Sequence, residues 1–455
     1  MRRLCRRGRC WRGGCKKKEL TQSSQSTQRT QRRAAKRTER AGLKPGTHTN
    51  FPMLSYEQAR QIVIEEIGKR RGPRATASVS VWEALGLVSA QEVKTDREYP
   101  PFDRSTRDGY AVRAKEVTPG VGLKCVGEIK AGDTVSEALA AGTCVQIMTG
   151  AAVPRGADAV MMIEYTQRDG ELVRFERAAQ SGQNIVPKGS EAAAGQSILL
   201  PGMRMGYVEL ALAAQVGAVE LQCAKRPRVA ILSTGDEVVT VDEAPGPFQI
   251  RNSNSVSLAA QVRIAGGEPV VLGNAADRVE DLGEKIERGL KEDALVLSGG
   301  VSMGKYDLVE KVLTAMGAEF FFDAVAIRPG KPAVFGYCQG KPVFGLPGNP
   351  VSTMVTFELF VAPAIDLLSG AEARALPLLE ARLGEALNEK PGMTHFLPAR
   401  VDWRGATAEV NALKWQGSGD IAALGKANCF LVIPADREKI ATGESVSVWL
   451  RKDVV

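Results

Sequence analysis

Histidine is nearly absent from this chain. His48 and His395 are the two in 455 residues, which leaves no material for a histidine-based triad or a multi-histidine metal centre. Any chemistry must run on carboxylates, Lys and Arg, hydroxyls and backbone N–H groups. Long apolar runs are missing too. No stretch approaches the roughly 18 uninterrupted apolar residues of a membrane span, so a soluble, cytoplasmic chain is expected. A disulfide framework is also missing. Cys125, Cys144, Cys223, Cys338 and Cys429 are scattered through apolar or strand-like contexts, which suits a reducing compartment.

Acidic residues are scarce at one end only. Residues 1–50 carry 16 Lys and Arg against Glu19 and Glu39, whereas the rest of the chain holds 44 basic and 50 acidic groups. The overall charge of +8 therefore belongs to the first segment, and the body is mildly acidic. That segment has no apolar core of a secretory signal, and its composition predicts a disordered basic extension over 1–52. An arm for nucleic acid or an anionic surface is one reading. A flexible extension, or sequence upstream of a start at Met53, is the other, and it is preferred. Cys5, Cys10 and Cys15 are spaced by five, which matches no usual zinc pattern.

What is present is a multidomain pattern. The length exceeds one ordinary core. Apolar residues at helical spacing predict a helix over 54–67, and a second helical piece over 80–90. Short strand-like runs between Gly, Pro and Asp turns extend to about residue 191, the texture of a small β domain. Residues 205–220 read as helical again, so a helical module is split by a β insertion. Apolar strands at 228–233, 268–273, 294–298 and 342–346 then alternate with helices over 255–266, 278–291, 306–316 and 351–369, the first with Asn252 and Ser253 or Asn254 as N-cap candidates. That alternation implies a parallel sheet covered on both faces. The helices stop near Ala371, and residues 380–455 alternate as a closing β domain.

Three turns of the α/β region leave the C-terminal ends of strands and so share one rim. They are Ser233-Thr234-Gly235-Asp236-Glu237, Ser298-Gly299-Gly300-Val301-Ser302-Met303-Gly304 and Leu346-Pro347-Gly348-Asn349-Pro350. Ligands of open α/β sheets bind on that rim. Glycine permits close backbone approach, and helix N-termini offer N–H groups to anions. Three such turns together point to a phosphorylated ligand, although neither a dinucleotide fingerprint nor a P-loop is present. Asp236, Glu237, Asp277 and Asp307 crowd the same rim, an oxygen-only set suited to Mg²⁺. For Asp307 a first-turn helix acid is an equally good reading. Arg328 and Lys331, in the stiff segment Ile327-Arg328-Pro329-Gly330-Lys331-Pro332, supply fixed cations for an oxyanion or phosphate. Lys305 precedes Asp307, and Ser233, Thr234, Ser302 and Ser352 offer hydroxyls. In the β insertion, Asp103, Ser105 and Asp108 read on their own as turn residues.

The segment PFDRSTRDGYAV (101–112) resembles the PFDNSAMDGYAV segment of the molybdopterin molybdenumtransferase family, which is MoeA-like and includes the C-terminal domain of gephyrin. IMTGA (147–151), VPKGSE (186–191), LSTGDEV, RNSNS, SGGVSMGKYD, RPGKP and GLPGNPVS come after it in the family's order. The resemblance implies a split helical dimerisation module (53–98 and 188–224), an inserted β domain (99–187), an α/β molybdopterin-binding domain (225–370) and a C-terminal β domain (371–455). It also implies a homodimer whose site lies between the α/β rim of one subunit and the β domain of its partner. Asp108 and Thr149 would then share a site with the rim carboxylates. The implied reaction takes adenylylated molybdopterin and molybdate to molybdenum cofactor and AMP with Mg²⁺. Other cofactor-biosynthesis proteins are implied as further partners; a membrane or nucleic acid is not.

The residue types suggest the division of labour. Asp236, Glu237 and Asp307, with Asp277 beside them, would hold Mg²⁺ on the pyrophosphate, and Asp108 would orient or activate the attacking oxygen. Arg328, Lys331 and Lys188, with Ser233 and Ser352, would hold phosphate and molybdate. Asp108, Thr149, Glu237 and Lys331 are thus the expected catalytic set. Asp103, Ser105, Lys188, Lys305 and the rim turns are expected to bind substrate. Departures from the family pattern are few. RSTRD replaces NSAMD, setting Arg107 beside Asp108; Arg328 stands where many bacterial members have Lys; Glu191 replaces Asp. Two readings compete: the sister adenylyltransferase, which is essentially the α/β domain alone, and a non-catalytic scaffold, which would not need Asp108, Asp236 and Asp307. The sequence does not distinguish molybdate from tungstate.

Overall fold

The computed structural model describes residues 52–300 and 308–454. The basic extension before residue 52, with its three cysteines, and Ser302, Lys305 and Asp307 lie outside the described residues. The chain divides between Pro52 and Met53, and every element named below belongs to the second unit.

The first helix, Tyr56–Arg70, starts at a capping box in which Ser55 and Gln58 each accept from the other's backbone N–H. Reciprocal capping satisfies two N–H groups that a helix start otherwise leaves open. Ala59, Val63 and Ile67 recur every four residues, forming one stripe. That stripe is fully buried with Phe357, Phe360 and Ile365 in the core of the α/β domain. The helix thus belongs to that core rather than to a separate helical module.

The second expected helix is not formed. Residues 80–90 are turns followed by the short strand Val88–Ser89, because β-branched Val79, Val81 and Val88 favour extended chain. The module is a three-stranded sheet with Glu220–Ala224 between Thr76–Ser80 and Val88–Ser89. Helix Tyr207–Gln215 covers it through Ala213. Thr76–Ser80 pairs with Glu220–Ala224, far along the chain, and the module is as much sheet as helix.

The insertion carries a six-stranded sheet in the order Ala159–Met162, Gly109–Val112, Thr143–Ile147, Gly122–Ile129, Leu172–Phe175 and Thr166–Asp169. Strand Gly109–Val112 is buried along its whole length, which fixes Asp108 at its entry.

The α/β domain has a six-stranded sheet ordered Glu268–Ala275, Arg228–Thr234, Ala294–Ser298, Lys341–Leu346, Val334–Cys338 and Glu319–Phe322. The first four are parallel, and antiparallel pairing brings in the last two. The four strands expected from the sequence form the parallel part, and the two antiparallel strands make the whole sheet mixed. The reason is the two-residue turn Gln339-Gly340, both at positive φ, which closes a tight hairpin from Val334 to Leu346. Helices Ser253–Ala265 and 350–368 cover one face, and Val279–Gly289 with Leu308–Ala315 cover the other. Chain from strand Arg228–Thr234 crosses to one side and later chain returns on the other. The crevice between Thr234 and Ser298 is therefore the switch point where ligands of such sheets sit.

Helix 350–368 is long and apolar enough to cross a membrane, yet 89% of its apolar window is buried inside the protein. It contains a π-helical stretch, Phe357–Val361. The C-terminal domain closes a five-stranded barrel. Thr394–Arg404, Thr407–Ala412, Leu378–Leu383, Ser445–Leu450 and Cys429–Ile433 pair in turn, and the last returns to the first. Strand Ile327–Arg328 of the preceding domain joins it, parallel to Thr394–His395.

Candidate active site

A cleft of about 460 Å³ opens at the switch point. Its lining among the described residues includes Ser233, Thr234, Gly235, Glu237, Asp277, Ser298, Gly299, Gly300, Pro347, Gly348, Asn349 and Pro350. All three strand-end turns thus meet at one place. Sequence reasoning misses Val238, Ile250, Arg251, Asn252, Ser253, Asn254 and Pro332, although they line the site as well. The segment RNSNS carries the available signal, but a helix cap accounts for the same residues.

Asn254 ties the turns together. Its Nδ2 donates to Ser298 Oγ and to the Gly348 carbonyl, each at 2.8 Å. Asn252 caps the same helix by accepting from Ser255 N at 3.0 Å, and its Oδ1 accepts from Ser233 Oγ at 3.1 Å. The turn after Ser298 needs glycine at Gly300, where φ is +66° and a Cβ would come within 2.7 Å of Thr234 Oγ1. Ser233, Ser298 and Ser352 are buried, so the first two act by holding the turns. Asn254 Oδ1 and Thr234 Oγ1 are buried with no hydrogen-bond partner. An unsatisfied buried acceptor costs roughly 1–3 kcal/mol, so both suit a ligand that brings N–H or O–H groups.

The carboxylates gather at the mouth. Asp236 accepts from Asp277 N at 3.2 Å. Burial, with the charges of Asp236 and Glu237 next, pushes the Asp277 carboxyl above its ordinary range. Three acids placed so that one resists ionisation make an anionic mouth that a divalent cation would relieve. Among the described residues no group of three acids, histidines or cysteines converges closely enough to cage a metal. Mg²⁺ requires no such cage, since it keeps several waters and takes one or two carboxylates plus substrate phosphates. The donor chemistry fits it.

Arg328 and Lys331 are exposed on the turn beside the cleft, and Pro332 lines it. The turn is held by Val325 N and Ala333 N, both donating to the Lys331 carbonyl. Asp103, Ser105, Asp108, Thr149 and Lys188 do not line the cleft. Asp108 accepts from Thr149 N at 2.7 Å and Thr149 Oγ1 at 2.8 Å, and these bonds hold its carboxyl below the usual range. Asp103 latches Lys188 N at 2.8 Å, while the Lys188 ammonium pairs with Glu98 at 2.8 Å. Ser105 is buried and donates to the Arg107 carbonyl. Its hydroxyl therefore shapes the turn and does not face a ligand.

Comparison with known proteins agrees with this assembly. Residues 54–217 match the model of the MoeA N-terminal region (domain I and II), 230–367 that of a probable molybdopterin binding domain, and 380–450 that of the MoeA C-terminal region (domain IV). The molybdopterin molybdenumtransferase of Nostoc sp. is 32% identical over 418 residues, covering 88% of this chain and 94% of its own. That of Bacillus subtilis is 32% identical over 388 residues, covering 83% and 90%. Among solved structures, a molybdopterin biosynthesis MoeA protein of Pyrococcus horikoshii OT3 superimposes with a TM-score of 0.71 at 28% identity, over 88% of this chain and 100% of that one. Fold and cleft together define a multidomain transferase built around a molybdopterin-type α/β domain. The chain belongs to the molybdopterin molybdenumtransferase (MoeA) family.

Proposed function

We propose that this chain transfers molybdenum from molybdate into adenylylated molybdopterin, releasing AMP. The observation that carries the proposal is the convergence of the Ser233, Ser298 and Leu346 turns on one cleft, in a chain similar to molybdenumtransferases along nearly all of its length. The cleft's backbone N–H groups and the acceptors Asn254 Oδ1 and Thr234 Oγ1 hold the nucleotide end of the substrate. Arg328 and Lys331 hold the oxyanion. Asp236, Glu237 and Asp277, with Asp307, would hold Mg²⁺, which when bound neutralises charge on the pyrophosphate. Asp108 is a poor general base while Thr149 stabilises its anion, so its role is to orient the attacking oxygen.

Asp108 stands outside the cleft, and a homodimer with a shared site supplies the second subunit's Asp108 instead. Support comes from the split module, which leaves Trp82 89% and Tyr207 84% exposed, along with Leu85 and Val219. Exposed apolar patches of this kind mark association surfaces. A cytoplasmic location suits the five cysteines of the described residues, all of them free thiols.

The test is reconstitution with adenylylated molybdopterin, molybdate and Mg²⁺, following AMP release, beside Asp307→Ala. Molybdate-dependent release that collapses in the variant supports the reading. Nucleotide binding without any release overturns it in favour of a scaffold.

A further inference from the structure

A phosphorylated ligand entering the switch-point cleft meets few positive charges. Among the described residues, the charged side chains that line it are Glu237, Asp277 and Arg251. Arg328 and Lys331 stand on the neighbouring turn, which contributes Pro332 to the lining. Arg251 is therefore the one cation on the cleft wall among the described residues, where a single charge weighs most on an entering anion. The carboxylates at the mouth and the Arg328–Lys331 turn leave it without a task.

Its backbone is fixed on both sides. Ile250–Arg251 runs parallel to Val238–Val239, with Ile250 N donating to the Glu237 carbonyl at 2.8 Å and Asn252 N to the Val239 carbonyl at 2.9 Å. Asn252 in turn caps helix Ser253–Ala265. The side chain is anchored by Nε, which donates to the Glu243 carbonyl at 3.0 Å. That acceptor is neutral. Arg251 forms no ion pair among the described residues, although Glu237 immediately precedes the paired strand. Nη1 and Nη2 therefore remain without a partner among the described residues. A guanidinium held in this way presents a planar fork, the geometry that takes two oxygens of one phosphate. A latch for the 240–249 loop needs one N–H and no charge, so it does not account for the free fork. We propose that Arg251 binds the pyrophosphate of the substrate and gives the cleft its preference for phosphorylated ligands. The proposal rests on the transferase reading for the identity of the natural substrate, but not for the phosphate contact.

The test is calorimetric titration of the full-length protein with ADP, inorganic pyrophosphate and adenosine, with and without Mg²⁺. Arg251→Ala is expected to weaken ADP and pyrophosphate about 10- to 100-fold, the worth of charge-assisted hydrogen bonds, and to leave adenosine within about twofold. Arg251→Lys keeps the charge but not the fork, so it falls between. The difference between wild type and Arg251→Ala narrows as salt is raised. Arg263→Ala removes an equal charge near the far end of the same helix and leaves all three affinities unchanged. Equal weakening of ADP and adenosine in Arg251→Ala makes the side chain a loop latch and overturns the proposal. So does a loss of the same size in Arg263→Ala, or a wild type that binds neither ADP nor pyrophosphate. In the transfer reaction, Arg251→Ala raises KM for adenylylated molybdopterin about tenfold with kcat within about twofold, a loss of uniform binding. Should the wild type transfer no molybdenum while the titrations run as expected, the transferase reading fails and the phosphate contact stands.

Discussion

At the scale of single residues, the site depends on groups kept away from their preferred states. Asp277 has its folded-state carboxyl raised by burial and by Asp236 and Glu237. A raised carboxylate contributes stability below its unfolded value, about 4, and that contribution is lost as the pH rises through the folded value. At pH 7 without divalent cations, Asp277→Asn should therefore raise Tm. The gain should shrink on acidification and on adding Mg²⁺, as followed by calorimetry. Asp108 works in the opposite direction. Its carboxyl is lowered by Thr149, so its contribution is present above the unfolded value and lost as the pH falls through the folded one. Thr149→Ala should raise the Asp108 pKa by NMR titration and, by freeing the carboxylate that orients the attacking oxygen, lower kcat on the order of a hundredfold. Asn254→Ala removes the donor shared by Ser298 and Gly348. It should cost about 1–3 kcal/mol in denaturant unfolding and weaken nucleotide binding.

At the scale of elements, helix 350–368 links the cleft to the core. Its first turn comes directly after the Leu346–Pro350 segment, where Asn349 Nδ2 donates to Ser418 Oγ of the C-terminal domain at 2.9 Å. Phe357 and Phe360 in the π-helical stretch are buried with Phe322 and Phe335. Phe357→Ala should cost about 3–5 kcal/mol, read from urea unfolding. Because π-helical geometry sets the register between cleft and core, kcat should fall along with stability. Helix Tyr56–Arg70 belongs to the same layer through Ala59, Val63 and Ile67, so its loss should destabilise the α/β domain and leave the insertion sheet folded.

At the scale of the whole molecule, the separation of Asp108 from the cleft is the decisive feature. If the site is completed by a second copy, Asp108→Ala and Asp277→Ala are each weakly active alone, and mixing them with subunit exchange restores part of the activity. Absence of restoration, with exchange verified by sedimentation, would confine catalysis to one subunit. Trp82→Ala with Tyr207→Ala should shift the chain toward monomer in the same sedimentation experiment.

The strand ends and their turns were legible in the sequence. Strand Ala294–Ser298 sits where its apolar run predicts, and parallel strands put their C-terminal turns on one rim whatever else the chain does. The order of family motifs was equally a property of the sequence. Periodicity was less reliable where an element has an unusual neighbour. Residues 80–90 carry helical spacing, yet Val88 and Ser89 pair into a sheet whose partner, Glu220–Ala224, lies far along the chain. The helix Tyr56–Arg70 was legible but its destination was not, since a stripe of Ala, Val and Ile does not say which core will receive it. The same limit applied to Asn252, Asn254 and Ser105. Their side chains are equally suited to capping a turn and to meeting a ligand, and only the placement of neighbouring strands decides which. Composition and local pattern thus determined which chemistry this protein can perform, because side-chain type sets charge and hydrogen-bonding capacity. Tertiary structure decided which of those groups meet, because proximity between distant segments depends on packing that no local window contains.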